Sequence, residues 1–357
     1  MKNKRFLIAA GGTGGHFYPG LAMGLALREK GANVSFIVRT DEPAIAVLKE
    51  NNFDYREIDL RGLPRSLNPV RHVKFMDKLI KALRSTREII KEFQPGVCVG
   101  TGGYISFPLL VCARWANIKT AVHDSNSHLG LVNKICGKFA TLFMLGLPLK
   151  NPPKNGVLTS TPLRPEFAKK IDRTAVLRNL KLSEQLPTVL VVGGSQGAKR
   201  LNEAVVQVAR RMPAWQFIHI TGSKWFEPLK AQYEKCANVR VFDYSHEIYA
   251  LMKSADLTIC RSGAGTVAEL IACKLPAICV PFPYAAADHQ FFNAQLLARA
   301  GAAEVIRESE FLAEQLRASL AVKSPQVLAQ MRKAYDNVKI PSPVESATRI
   351  ADLLLDL

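Results

Sequence analysis

Phe6-Leu-Ile-Ala-Ala-Gly-Gly-Thr-Gly-Gly15 and Thr188-Val-Leu-Val-Val-Gly-Gly-Ser-Gln-Gly197 share one design: an apolar run ends in a glycine loop, and a helical stretch follows. A short apolar run bounded by glycines reads as a buried strand, and the loop as its turn into a helix. Between the two copies, strand signals at 34–38, 97–99, 120–122 and 142–145 alternate with helical ones. After the second copy they resume at 216–220, 239–242, 257–260 and 277–280. Such alternation predicts parallel sheets covered by helices on both faces. The breaker-rich run Asn151-Pro-Pro-Lys-Asn-Gly156, continued by Pro162 and Pro165, divides the halves near residue 160. The expected fold class is α/β, with two Rossmann-like doubly wound domains, 1–160 and 161–340. Ligands bind beyond the carboxyl ends of the strands in such sheets, so two domains facing across a cleft suit a reaction that joins two substrates.

Composition agrees with two cores, since 357 residues at 48% apolar content exceed one ordinary domain. No stretch reaches the ~20 apolar residues that span a bilayer. Arg114 interrupts the run at 109–118, and the run at 139–149 is short. Lys2, Lys4 and Arg5 before Phe6 imitate a signal peptide, but the apolar part ends early in glycines, so a first β-strand, and with it a cytoplasmic protein, is expected. Seven cysteines, none in a C-x-x-C pair or at zinc-finger spacing, read as buried thiols in a reducing compartment. The excess of 48 Lys+Arg over 30 Asp+Glu, a net charge of +18, favours phosphate-bearing partners: nucleic acid, anionic lipid or nucleotides.

Helix N-termini carry partial positive charge and unpaired N–H groups, and glycine lets a phosphate approach the backbone. Each glycine loop is thus an anion cradle or, alternatively, a tight turn that uses glycine for steric reasons. A third such loop, Cys260-Arg-Ser-Gly-Ala-Gly-Thr266, makes the purely steric reading of all three hard to hold. One turn after Gly265 comes Glu269, either a ligand for ribose hydroxyls or an ordinary acid stabilised by the helix dipole. A nicotinamide dehydrogenase, with Arg39 reading a phosphate, is a minor alternative. Its G-x-G-x-x-G fingerprint fails because the third glycine is Phe17.

Taken in order, several motifs match a known pattern: Gly11-Gly-Thr-Gly-Gly-His16 with Pro19, Gly102-Gly-Tyr-Ile-Ser106 with Pro108, and His123-Asp-Ser-Asn126 with Gly130 and Asn133-Lys134. Gly193-Gly-Ser-Gln-Gly-Ala198, Arg261-Ser-Gly-Ala-Gly-Thr-Val-Ala-Glu269, Asp288-His-Gln-Phe-Phe-Asn-Ala294 and Gly301-Ala-Ala303 continue it. The set resembles the MurG family. Those enzymes move N-acetylglucosamine from UDP-N-acetylglucosamine to undecaprenyl-diphosphate-N-acetylmuramoyl-pentapeptide, turning lipid I into lipid II. The resemblance implies a GT-B fold and an inverting hexosyltransferase without cofactor or metal, peripheral to the cytoplasmic face of the membrane. It implies that the C-terminal half holds the donor. Ser195, Gln196 and Gly197 would contact the diphosphate, Arg164 the nucleotide, Glu269 the ribose and Gln290 the sugar. Thr13, Gly14, Gly15 and Asn126 would close the site from the first half, with His16 as base or acceptor-orienting group. A helix at 344–355 would return to the first domain. UDP-N-acetylglucosamine, lipid I, an anionic membrane and other cell-wall synthesis proteins are the implied partners, and nucleic acid is not. Where the family usually has His-Glu-Gln-Asn, this chain has His123-Asp-Ser-Asn126; Thr161-Pro-Leu-Arg164 replaces Asn-Pro-Val-Arg, and His289 stands before Gln290.

Glycosyl transfer builds negative charge on the departing diphosphate and needs a base for the acceptor hydroxyl. With no Asp-x-Asp pair in the chain, helix N-termini, Ser195 and Arg164 are left to stabilise the leaving group. His16, on a glycine loop, titrates in the right range for a base; capping its helix is the alternative. Between Arg61 and Lys91, the cations Arg65, Arg71, Lys74, Lys78, Lys81, Arg84 and Arg87 flank Phe75, Leu79 and Leu83 at helical spacing. That stripe either packs on its own domain or meets an anionic leaflet, which attracts each basic residue by ~1 kcal/mol. Another GT-B enzyme with a different acceptor remains an alternative. So does a non-catalytic nucleotide-sugar- or nucleic-acid-binding protein, although the chain has no nucleic-acid module signature.

Overall fold

The computed structural model describes residues 4–64, 68–194, 197–234 and 236–357. The chain divides into two compact units, Met1–Pro165 with Ile340–Leu357, and Glu166–Lys339. The first holds β1 (Arg5–Ala9), β2 (Asn33–Arg39), β3 (Asp54–Ile58), β4 (Val97–Gly100), β5 (Lys119–Asp124), β6 (Leu142–Leu145) and β7 (Gly156–Leu158). They form one sheet in the order β3-β2-β1-β4-β5-β6-β7, every neighbouring pair parallel. The chain runs outward from β1 to β3, then crosses back to β4, so the direction of winding reverses between β1 and β4. At such a switch point two loops part above the sheet and leave a crevice.

Alternate residues of β1 feed opposite faces, as the two-residue period of a strand requires. Phe6 and Ile8 join Phe36, Val38, Val99 and the helix residues Met23 and Leu27. Leu7 and Ala9 join Ile37, Cys98 and the helix residues Ala82, Leu109 and Cys112. The helix Ser346–Leu355 closes the first of these layers with Ile350, Ala351 and Leu354. Its Ser346 hydroxyl donates to the Ser160 carbonyl at 2.9 Å, and Lys30 pairs with Asp352 at 2.7 Å.

The second unit holds β8 (Thr188–Val192), β9 (Gln216–Ile220), β10 (Val239–Phe242), β11 (Leu257–Cys260), β12 (Ala277–Cys279) and β13 (Ala303–Val305). Their order is β10-β9-β8-β11-β12-β13, again all parallel, with the switch point between β8 and β11. Three strands, β3, β7 and β13, have no counterpart in the sequence reading. Each lies at a sheet edge, paired on one side only, and so lacks the continuous apolar run that marks a central strand. In β7 the strand lies inside the breaker-rich stretch, and the units part at Pro165 rather than at 160.

Candidate active site

At the β1/β4 switch point the helix Gly14–Glu29 begins, with Thr13 as its exposed, extended N-cap residue. Gly14 and Gly15 open the helix, and the half-buried His16 follows in its first turn. His16 Nδ1 lies 3.0 Å from the Thr101 carbonyl oxygen in the loop after β4. A carbonyl only accepts, so Nδ1 carries the proton and Nε2 is the basic nitrogen of the neutral ring. Thr101 answers from the same loop by donating its hydroxyl to the His16 carbonyl at 2.8 Å. Gly102, at φ +100°, allows this approach: a Cβ there would stand 2.8 Å from His16 Nδ1. Through Nδ1 the ring therefore bonds across the switch point.

A carboxylate that the sequence reading missed lies under the same loop. Buried Glu42 accepts from the Gly12 N–H at 2.6 Å and from Arg39 Nε at 3.1 Å. An internal anion thus occupies one loop donor, which weakens this loop as a phosphate cradle. It also ties up Arg39, the residue on which a dinucleotide reading depends.

At the end of β5, Asp124 braces the segment that carries Asn126. Its Oδ1 accepts from the Asn126 N–H at 3.0 Å, and its Oδ2 from the Gly130 N–H at 2.9 Å and Asn133 Nδ2 at 3.0 Å. Its neighbour His123 is fully buried, and burial pushes its pKa down to about 4. His123 is thus neutral at pH 7 and shut away from any substrate, which distinguishes it from half-buried His16. Arg164, expected with the donor half, belongs to the first unit, its guanidinium 5.3 Å from the Tyr18 ring centroid.

In the second unit, Gly194 and Gly197 have φ +86° and +69° in the loop after β8, while Ser195 and Gln196 lie outside the described residues. The helix Lys199–Arg211 that follows has Lys199 and Arg200, and no acid, in its first turn. Cations there oppose the helix dipole, so an arriving anion is stabilised by both charges and dipole. Beyond β11, an ideal Cβ on Gly263 or Gly265 would meet nothing within 4 Å, and neither residue has positive φ. Neither packing nor backbone conformation demands glycine there, which leaves open space for a ligand against the backbone.

The helix Ala264–Cys273 begins early enough that half-buried Glu269 is its sixth residue, past the first turn where the dipole acts. Dipole stabilisation therefore does not account for it. Gln290, in the first turn of the helix His289–Ala300, accepts at Oε1 from the Phe282 N–H at 3.0 Å, and its carbonyl accepts from the Ser262 hydroxyl at 2.8 Å. This leaves its amide NH2 as the donor end. Among the described residues no three His, Cys, Asp or Glu side chains gather to hold a metal ion, and no helix is long and apolar enough to cross a membrane.

Residues 6–144 match the glycosyltransferase family 28 N-terminal domain, and residues 188–346 its C-terminal domain. The UDP-N-acetylglucosamine--N-acetylmuramyl-(pentapeptide) pyrophosphoryl-undecaprenol N-acetylglucosamine transferase of Elusimicrobium minutum is 47% identical over 360 residues, covering 99% of this chain and 100% of that protein. The transferase of the same name from Desulforudis audaxviator is 34% identical, with 98% of each chain covered. The crystal structure of Acinetobacter baumannii MurG matches with a TM-score of 0.80 at 27% identity, covering 100% of both chains. With both family domains matched in order and identity sustained from end to end, the chain belongs to the MurG family of glycosyltransferases and has the GT-B fold.

Proposed function

We infer that this chain transfers N-acetylglucosamine from UDP-N-acetylglucosamine to undecaprenyl-diphosphate-N-acetylmuramoyl-pentapeptide, the conversion of lipid I to lipid II in peptidoglycan synthesis. The observation that carries this is 47% identity along the whole chain to the Elusimicrobium minutum transferase of that name. UDP release that requires both UDP-N-acetylglucosamine and a lipid I analogue tests it; release with neither dependence overturns it. The reaction is expected to proceed at an undiminished rate in EDTA, since the leaving group is assigned to backbone dipoles and side chains. Complete loss of turnover in the chelator contradicts that assignment.

In the reaction the bond from the anomeric carbon to the diphosphate breaks, the acceptor oxygen bonds to that carbon with inversion, and its proton leaves to a base. His16 is that base. Support comes from its tautomer, which puts the lone pair on Nε2, and from its place beside the β1/β4 switch point, where open parallel sheets bind ligands. Thr13, Gly14, Gly15 and Asn126 belong to the same acceptor-side set. The second unit takes the donor: the loop through Ser195, Gln196 and Gly197, with the N-termini of the helices Lys199–Arg211 and Ala264–Cys273, receives the diphosphate. Glu269 accepts from the ribose hydroxyls, Gln290 donates to the sugar, and Arg164 adds positive charge to the nucleotide.

The membrane-facing element of this proposal is the helix Pro69–Phe93, capped by Asn68, whose side chain accepts from the Val70 N–H at 3.0 Å. Arg61 precedes the helix, and Arg65 lies outside the described residues. Phe75, Leu79 and Leu83, the stripe singled out in the sequence, pack against the core beside Ala82 and Ile90. A second stripe stands in solvent: Val70, Val73, Met76 and Ile80 are 58%, 68%, 50% and 45% exposed. Two of the cations singled out are already paired, Lys78 with Asp59 and Lys81 with Asp77. Insertion of the second stripe into an anionic leaflet therefore combines apolar burial with the attraction of Arg71, Lys74 and Arg84. The double substitution Val73→Glu, Met76→Glu is expected to weaken binding to anionic vesicles about tenfold or more, beyond the effect of Lys78→Glu. Equal binding to neutral vesicles, or no loss in the double variant, removes the helix from this role.

A further inference from the structure

Two charged residues that leave β13, Arg307 and Glu308, take no part in the reaction as described, yet Glu308 reaches the segments after β8 and β11 that are assigned to the donor, and Arg307 the turn before Gln290. Glu308, with its side chain 5% exposed, accepts a hydrogen bond from Arg261 and lies 3.9 Å from Arg200 Nε in the first turn of the helix Lys199–Arg211. Arg261, itself buried, donates through Nη1 to the carbonyls of Val280 at 3.0 Å and Pro281 at 3.1 Å. The next N–H along the chain, that of Phe282, holds Gln290 Oε1. Ser262, the neighbour of Arg261, holds the Gln290 carbonyl through its hydroxyl, and Asn293 Nδ2 donates to the Ser262 carbonyl at 3.2 Å. A continuous path of hydrogen bonds thus runs from the Glu308 carboxylate to the Gln290 side chain.

Arg307 works on the other approach to the same residue. Its Nη2 is 2.8 Å from Asp288 Oδ2, and its guanidinium lies 4.0 Å from the Phe291 ring centroid. Ala287 and Asp288, just before Gln290, both adopt left-handed conformations, at φ 51° and 52°. Two consecutive non-glycine residues in that region are strained and persist only where the surroundings hold them. The Asp288 N–H donates to the Ala285 carbonyl at 2.9 Å and His289 Nδ1 lies 2.8 Å from the Ala286 carbonyl oxygen, and Arg307 adds a side-chain restraint, tied to the turn by charge and to the helix after it by stacking.

We propose that Arg307 and Glu308 form a clamp that positions Gln290, and with it sets the affinity for the sugar of a nucleotide-diphosphate sugar. Both are positioning residues: neither is assigned a contact with substrate, and each acts on a segment that frames Gln290. The proposal rests on the reading of Gln290 as a ligand of the donor sugar, so the experiment carries Gln290→Ala as a separate arm. Loss of uniform binding raises KM and spares kcat. Arg307→Gln is a change at an exposed side chain and leaves the core intact. Glu308→Gln retains an acceptor for Arg261, whereas Glu308→Ala would strand a buried guanidinium.

Expected for Arg307→Gln and Glu308→Gln is a rise of about five- to tenfold in KM for UDP-N-acetylglucosamine with kcat within about twofold, and for Arg307→Gln, which among the described residues has no contact with the diphosphate helix, a Kd for UDP alone within about twofold as well. UDP is the discriminating probe because it lacks the sugar. Adding Ala287→Gly to Arg307→Gln makes the left-handed turn inexpensive without the clamp, and is expected to return KM to within about twofold of wild type. Failure of Gln290→Ala to raise the donor KM overturns the donor reading on which the clamp depends. A rise in Gln290→Ala with none in the clamp variants overturns the clamp alone. A parallel loss of UDP and sugar-nucleotide affinity with no rescue by Ala287→Gly also overturns it, since that pattern marks general disruption.

Discussion

Replacement of His16 by alanine is expected to lower kcat by about 100-fold or more while KM for UDP-N-acetylglucosamine stays within about threefold. The Thr101 carbonyl fixes the proton on Nδ1, so Nε2 can take a proton from an acceptor hydroxyl without a change of tautomer. Alanine removes the base but leaves the helix start and the Gly12–Glu42 contact in place, so donor binding has no reason to fall. His123 is no substitute base, because burial depresses its pKa to about 4. Gly102→Ala provides an independent check from across the switch point, since its methyl would press on the His16 ring and meet a backbone at φ +100°. It is expected to reduce kcat in the same direction with the imidazole still present. Turnover near wild type in His16→Ala, measured with saturating lipid I analogue, removes His16 from the role of base.

The architecture was legible in the sequence where strands are central. The strand signals at 97–99, 142–145 and 216–220 stand in the structure as Val97–Gly100, Leu142–Leu145 and Gln216–Ile220. Buried on both faces of a parallel sheet, such strands need continuous apolar runs. Edge strands have no such need. In Asp54-Tyr-Arg-Glu-Ile58 only Ile58 is buried, so the segment reads as polar and its pairing with β2 was not visible. Gly156–Leu158 was hidden for another reason: it follows two prolines and is three residues long, below the length at which a pattern can be seen.

The candidate site divides along a similar line. Glycine loops are local features, so the positions of His16, Gly197 and Glu269 at switch points follow from the chain's alternation and its punctuation. Partners distant in sequence are not local. Nothing around Glu42 announces that its carboxylate accepts from the Gly12 N–H, and nothing around Glu308 announces Arg261. Asp124 was visible only as a departure from a family motif, and its work as a brace of three N–H donors appears once Gly130 and Asn133 are brought beside it. The basic helix shows the same limit: periodicity identified a helix with apolar and cationic positions, but only packing shows which of two apolar stripes is consumed by the core.

Acidification from pH 7 to about pH 4.5 is expected to remove roughly 2–3 kcal/mol of stability through each of His123 and His219. His219 lies in β9 with Nε2 3.1 Å from Asn202 Oδ1 and Nδ1 2.9 Å from the Tyr233 hydroxyl. Asn202 Nδ2 donates to the Thr221 carbonyl at 2.9 Å, which orients that amide with Oδ1 toward the ring. Nε2 therefore carries the proton and Nδ1 accepts from Tyr233, so the neutral ring is fully satisfied. A second proton would place an uncompensated charge in the core, and burial accordingly lowers the His219 pKa to about 3. Because both folded pKa values lie below the unfolded value of 6.5, the stabilisation is complete above pH 6.5 and is lost as pH falls toward about 4 and about 3. The upper part of this window lies above ordinary carboxylate titration, so the histidines dominate the slope there, at about 1.4 kcal/mol per pH unit for each. His219→Gln is expected to be less stable than wild type at pH 7, since glutamine cannot reproduce both hydrogen bonds, yet to lose less on acidification. Denaturant unfolding of both proteins at pH 7 and near pH 4.5 measures the two slopes. Equal slopes in wild type and His219→Gln would mean that protonation of this ring does not limit the acid stability of the second unit.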